Sequence, residues 1–178
     1  GQGSGAYVSV LSSLATYYRV TGDYQRATAR FSEAVDRYQD ASDEVMAILL
    51  VNLGRLELEL GDFIQADSLF DEALVLYRQT HGELSREVAD VLFDQARLHQ
   101  ASGEYAEAEK LYRRSAGMLR DKLGSRHPEY LNCLNSMAVF YQMLGNHEYA
   151  EELYQDILRS TDITGPLHAT ASLNLAAL

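Results

Sequence analysis

The sequence predicts an all-α fold, a solenoid of stacked helical hairpins, and three observations carry that expectation. The chain matches itself at intervals: Gly22, Gly61, Gly103 and Gly145 recur at steps of 39, 42 and 42 residues. They sit in the phrases Thr-Gly-Asp-Tyr (21–24), Leu-Gly-Asp-Phe (60–63), Ser-Gly-Glu-Tyr (102–105) and Leu-Gly-Asn-His (144–147). A period in that range marks stacked supersecondary units, whose usual product is an extended concave surface. No stretch alternates apolar and polar residues with period two over a useful length, so no strand is expected. Two prolines in 178 residues suit long helices with few rigid turns.

Each repeat is read outward from its glycine. Seven residues before it stands a small residue, Ala15, Gly54, Ala96 or Ala138, preceded by Leu14, Leu53, Gln95 or Met137. Two residues after it comes Tyr24, Phe63, Tyr105 or His147, and five after it Ala27, Ala66, Ala108 or Ala150. Nine after it is an aromatic, Phe31, Phe70, Tyr112 or Tyr154. This is a first helix, a glycine-centred turn and a second helix. The small residues let the two helices approach, and the aromatic fills the space between them. The glycine suits the left-handed conformation that ends a helix.

In chain order, first helices are expected over 6–21, 43–60, 86–102, 128–144 and 166–178, and second helices over 23–39, 62–80, 104–123 and 146–161. Pro128 and Pro166 fit a first helical turn, where a missing N–H costs nothing. Asp62, Glu104 and Glu148 place negative charge at helix starts, where the helix dipole favours it. Residues 1–5 read as a linker or cloning scar. Residues 6–178 read as one domain of four repeats, 6–40, 43–80, 86–123 and 128–161, with a partial fifth at 166–178. Leu173-Asn174-Leu175-Ala176-Ala177 repeats the phrase of Leu134-Asn135-Ser136-Met137-Ala138, so the expectation is a fragment of a longer protein, stopping inside a first helix.

The pattern resembles the tetratricopeptide repeat over essentially the whole chain after the first few residues. The 42-residue spacing and the linker Leu-Gly-Ser-Arg-His-Pro-Glu-Tyr (123–130) are similar to the kinesin light chain subclass of that family. His81-Gly82-Glu83-Leu84 holds the equivalent linker place without the His-Pro pair. There are departures. No tryptophan opens any repeat, His147 stands where an aromatic is usual, and Ser115 and Ile157 replace the alanine seen at Ala34 and Ala73. The resemblance implies a right-handed superhelix whose first helices line a concave face. It also implies a non-catalytic role, holding an extended or helical peptide segment of a partner protein in that groove.

On the implied face, helical geometry selects the positions six, three and two before the small residue, and one and four after it. The first repeat gives Ser9, Ser12, Ser13, Thr16 and Arg19, and the second Ile48, Val51, Asn52, Arg55 and Leu58. The third gives Asp90, Phe93, Asp94, Arg97 and Gln100, and the fourth Asn132, Asn135, Ser136, Val139 and Gln142. The partial fifth adds Ala171 and Asn174. The asparagines Asn52, Asn132, Asn135 and Asn174 each offer a donor and an acceptor, which suits a peptide backbone of any sequence; the alternative is that they bridge neighbouring helices. Arg55 and Arg97 occupy the same position of adjacent repeats and suit a bidentate carboxylate; the alternative is that Asp94 and Asp90 neutralise them. Ile48, Val51, Leu58 and Phe93 form an apolar patch for a peptide anchor, or pack between first helices. Repeat proteins that clamp the C-terminal tails of chaperones use a lysine and an asparagine where this chain has Ser12 and Thr16, and basic residues where it has Asp90 and Asp94. Only Asn52 matches, so that ligand is not expected.

Composition narrows the partners. The net charge of −11, from 26 acidic and 15 basic residues, argues against nucleic acid and against anionic membranes. The 47% apolar content argues against disorder. The single cysteine, Cys133, excludes an intramolecular disulfide and suits a buried thiol in a reducing, cytoplasmic setting. No secretory leader and no apolar run of membrane-spanning length is visible. The five histidines, at 81, 99, 127, 147 and 168, make no helical zinc pair, and no phosphate loop follows a strand, so neither catalysis, metal nor cofactor is expected. Two other roles stay open: a self-associating structural scaffold, which as a homo-oligomer would meet through the uncapped last helix, and a peptide or metabolite sensor regulating an attached domain.

Overall fold

Local turn chemistry sets where each helix ends. The computed structural model describes residues 2–37, 42–160 and 165–178, and every regular element among them is an α-helix. In chain order these are α1 (Gln2–Val20), α2 (Tyr24–Asp36), α3 (Asp43–Leu60), α4 (Phe63–His81), α5 (Arg86–Ser102), α6 (Tyr105–Leu123), α7 (Pro128–Met143), α8 (His147–Ser160) and α9 (Pro166–Ala176). The expected boundaries agree to within a few residues. The main difference is α1, which begins at Gln2 and so runs through the stretch read as a linker. The expected ends of the first and fourth second helices, 39 and 161, lie outside the described residues.

Gly61 shows how the turn works, and its three equivalents repeat it. Its φ of 83° lies in the left-handed region, where a side chain is strained. There its N–H bonds Leu58 O, and the following Asp62 N–H bonds Glu57 O, closing the end of α3. Asp62 then caps α4 by accepting from the Gln65 N–H at 3.0 Å, as Asp23 caps α2 from Arg26 N–H. Asn146 does the same for α8 through the Tyr149 N–H. His127 caps α7 with its ring nitrogen, ahead of Pro128 in the first turn.

The chain divides into two compact units, Gly1–Leu98 and His99–Leu178. In the first, α1 pairs with α2 and α3 with α4, and α3 also lies against both α1 and α2. Val8, Leu11 and Ala15 of α1, Ala27, Phe31 and Ala34 of α2, and Leu49 and Leu56 of α3 close into one buried cluster. Burying an aromatic such as Phe31 contributes roughly 2–3 kcal/mol. Phe70 sits against Gly54, so the small residue and the aromatic of the repeat meet as their spacing requires. In the second unit, α7 pairs with α6 and α8, and α9 packs on α8. The Phe140 ring lies 5.7 Å from that of Tyr112 and 5.3 Å from that of Tyr141. Ser115, the departure from alanine, is fully buried and stands 3.9 Å from the buried Cys133 thiol.

Candidate functional site

Helices α1, α3 and α5 present one face in the first unit, and two adjoining clefts open on it. The larger, about 450 Å³, is walled by Ser9, Ser12, Ser13, Thr16, Val45, Ile48 and Asn52. The smaller, about 180 Å³, is walled by Ile48, Val51, Asn52, Arg55, Tyr77, Glu87, Asp90 and Val91. Ile48 and Asn52 belong to both walls, and Ile48 is 43% exposed. In the larger cleft, Ser13 donates to Ser9 O and Thr16 to Ser12 O, each at 2.9 Å. Those hydroxyl protons are engaged within α1, which leaves their oxygens as acceptors.

Several residues expected on an open face are instead used to join one first helix to the next. Asp94 is 1% exposed. The Arg55 Nε and a terminal nitrogen both lie 2.7 Å from its Oδ2, and an Arg97 terminal nitrogen lies 3.5 Å from its Oδ1. The repeat spacing sets the α5 position two before its small residue beneath the α3 position one after its own. The arginines are therefore answered from inside the fold. Burial acts to discharge Arg55, but the Asp94 charge and hydrogen bond, with Asp90 beyond, hold its pKa above the ordinary value. Ser12 and Val51 are also buried rather than open, and Asn52 donates to Ser12 Oγ at 3.5 Å. Arg19 pairs with Glu59 across the same helices. Thr16 and Phe93 are half-buried, and Asp90, also half-buried, has Arg86 at 3.8 Å.

The second unit uses its polar residues in the same way. Asn174 donates to Asn135 Oδ1 at 3.4 Å, a bridge from α9 to α7. Gln142 accepts from the Tyr154 hydroxyl at 3.3 Å, and Gln100 from the Tyr112 hydroxyl at 2.8 Å, the same contact one repeat apart. Ala171 is fully buried, while Asn132 and Val139 are exposed. A further cleft of about 370 Å³ lies among Glu109, Arg113, Tyr141, Asn146, Glu148, Tyr149 and Glu152. There Tyr141 donates to Glu109 at 2.8 Å and Arg113 stands over the Tyr149 ring. Burial first, then that hydrogen bond to Glu109, pushes the Tyr141 hydroxyl up to about 12.

The repeat grammar has a counterpart in a family model: the tetratricopeptide repeat model matches residues 45–121 and 99–163, more than half of the chain. The chain belongs to the tetratricopeptide repeat family. Such repeats generally mediate contacts between proteins and are typically non-catalytic. The fold is similar to that of BtubC (BKLC) from P. vanneervenii, with a TM-score of 0.83 at 20% identity, covering 98% of this chain and 72% of that one. It is also similar to a Podosopora anserina protein assigned as a kinesin light chain, with nearly identical TPR-like repeats. That match has a TM-score of 0.78 at 21% identity and covers 96% of this chain and 84% of the other. A single-substitution variant of the same protein gives a TM-score of 0.78 at 20% identity. At these identities the likeness is one of fold. No curated protein matches the sequence significantly.

Among the described residues of this tetratricopeptide repeat chain, no helix is long and apolar enough to cross a membrane, and no cluster of three His, Cys, Asp or Glu is placed to hold a metal ion. Sequence reasoning missed Val45, Glu87, Val91 and Tyr77 in the walls of the first unit's clefts. Val45 and Glu87 stand nine residues before their small residue, one helical turn beyond the last position considered. That turn was readable in the sequence. Tyr77 comes from α4, a second helix, and no first-helix pattern reaches it. Burial, then the Glu87 charge, pushes its hydroxyl up to about 12, with Asp90 and Glu44 adding to the shift and Arg55 opposing it.

Proposed function

We propose that this chain is a non-catalytic protein-binding module that holds an extended or helical peptide segment of a partner protein, in a reducing, cytoplasmic setting. The observation that carries this reading is the pair of clefts in Gly1–Leu98, which share an exposed Ile48 and a carboxamide at Asn52. An apolar anchor beside a group that donates and accepts is the minimum a peptide site needs. In the second unit, Asn132 and Val139 offer the exposed positions. The test is capture of partner proteins by the wild-type chain beside Ile48→Ser and Asn52→Ala variants that keep their helicity. Proteins retained by the wild type and lost from both variants support the reading. Proteins retained equally by all three move the contact off this face.

A second reading, self-association as a scaffold, is favoured by one observation on α1. Val10 and Tyr17 are 63% and 62% exposed, whereas their register equivalents in α3, Leu49 and Leu56, are fully buried. Exposed apolar residues at core positions of the repeat invite a cover. A sedimentation coefficient that stays monomeric over a wide concentration range removes this reading.

A further inference from the structure

The groove of the first unit carries information about the charge of its occupant. Its floor is apolar, with Val45, Ile48 and Val51 along it. The cation in its walls is Arg55, and both Arg55 nitrogens that face Asp94 are already at hydrogen-bond distance from that buried carboxylate. The remaining charges in the walls are the carboxylates of Glu87 and Asp90, the latter with Arg86 of the same helix at 3.8 Å. The Ser13 and Thr16 hydroxyls present acceptors, because their protons go to α1 carbonyls. Apolar surface, acceptors and carboxylates together fit a ligand that brings donors and positive charge.

Resting on the peptide-groove reading, we propose that this groove docks a cationic amphipathic segment of a partner protein. An apolar side chain seats against Val45 and Ile48, and a lysine or arginine beside it reaches Glu87 and Asp90. An acidic segment is disfavoured because it meets those two carboxylates, while Arg55, the cation in the walls, is already shared with the buried Asp94. The charges around Tyr77 point the same way: Glu87 acts on its hydroxyl more strongly than Arg55 opposes it, and Asp90 and Glu44 add to Glu87. The net charge of −11 adds long-range attraction for a basic partner.

The test is fluorescence anisotropy of the whole chain with three labelled peptide pools of equal length. The pools share leucine and isoleucine positions and carry Lys/Arg, Glu/Asp or Gln/Ser elsewhere. The basic pool is expected to bind most tightly and to weaken as salt rises. Glu87→Gln combined with Asp90→Asn lowers its affinity about tenfold at unchanged helicity, a few-fold for each exposed pair. Ile48→Ser weakens binding of any pool that uses the groove. If the acidic or neutral pool binds as tightly as the basic one and still depends on Ile48, the charge proposal is overturned and the groove reading stands. If the basic pool binds but ignores Ile48→Ser, both are overturned for this face. If no pool binds, the cationic proposal falls, and the capture experiment decides the groove reading by itself.

Discussion

One carboxylate, Asp94, engages both Arg55 and Arg97 of the first unit's face. It is buried, it accepts from Arg55, and it has Arg97 at 3.5 Å on its other oxygen. Asp94→Asn keeps the shape and removes the charge, leaving the partly buried Arg55 without its counter-ion. The expected cost is about 2 kcal/mol, below that of a fully buried pair because the Arg55 side chain remains 32% exposed. Asp90→Asn is the control: Asp90 is half-buried with Arg86 at 3.8 Å, and its expected cost is under about 1 kcal/mol. Urea unfolding of both variants checks the difference. Equal losses would mean that Asp94 is no more than another surface acid.

At the scale of helices, the close contact of α3 and α4 rests on Gly54. A β-carbon built there falls 2.7, 2.9 and 3.1 Å from three ring atoms of Phe70, the first two closer than real contacts allow. In an exposed helix, glycine to alanine gains up to about 1 kcal/mol. Here the ring is part of a packed core, so Gly54→Ala is expected to lose about 1–2 kcal/mol. Phe70→Leu in the same chain should recover part of that loss, and a double-mutant cycle by thermal unfolding measures the coupling. Purely additive losses would show that the contact does not limit the packing. The glycine, alanine and aromatic positions made the helices legible in the sequence because their signals are local, all falling within one helical hairpin. The face was less legible. Whether Asp94 or Asn135 is open depends on a first helix one whole repeat away, where Arg55 or Asn174 stands opposite. Spacing selected positions along the first helices; only the packing of successive repeats shows which of those side chains are already engaged.

At the scale of the whole chain, alkaline pH offers a test that reaches both units. Burial first raises the hydroxyls of Tyr77, in the first unit, and Tyr141, in the second, to about 12. An unfolded tyrosine titrates near ~10, so the folded state holds these protons longer. The stability they contribute is present in full below pH ~10 and is lost as pH rises toward about 12. Tyr7, Tyr130 and Tyr154 are raised in the same direction and add to the loss in that window. Of the basic residues only Lys110 and Lys122 are lysines, and arginines keep their charge, so ion pairs such as Arg55–Asp94 persist. The general repulsion of an acidic chain also grows there, but salt screens it, whereas burial of a phenolate is not screened. The thermal midpoint is therefore expected to fall between pH ~10 and ~12 even in high salt, and to fall less steeply in a Tyr77→Phe/Tyr141→Phe variant. At neutral pH that variant loses about 1 kcal/mol with the Tyr141–Glu109 hydrogen bond, so it starts lower and the two curves converge as pH rises. Parallel curves would assign the alkaline loss to groups other than these two hydroxyls.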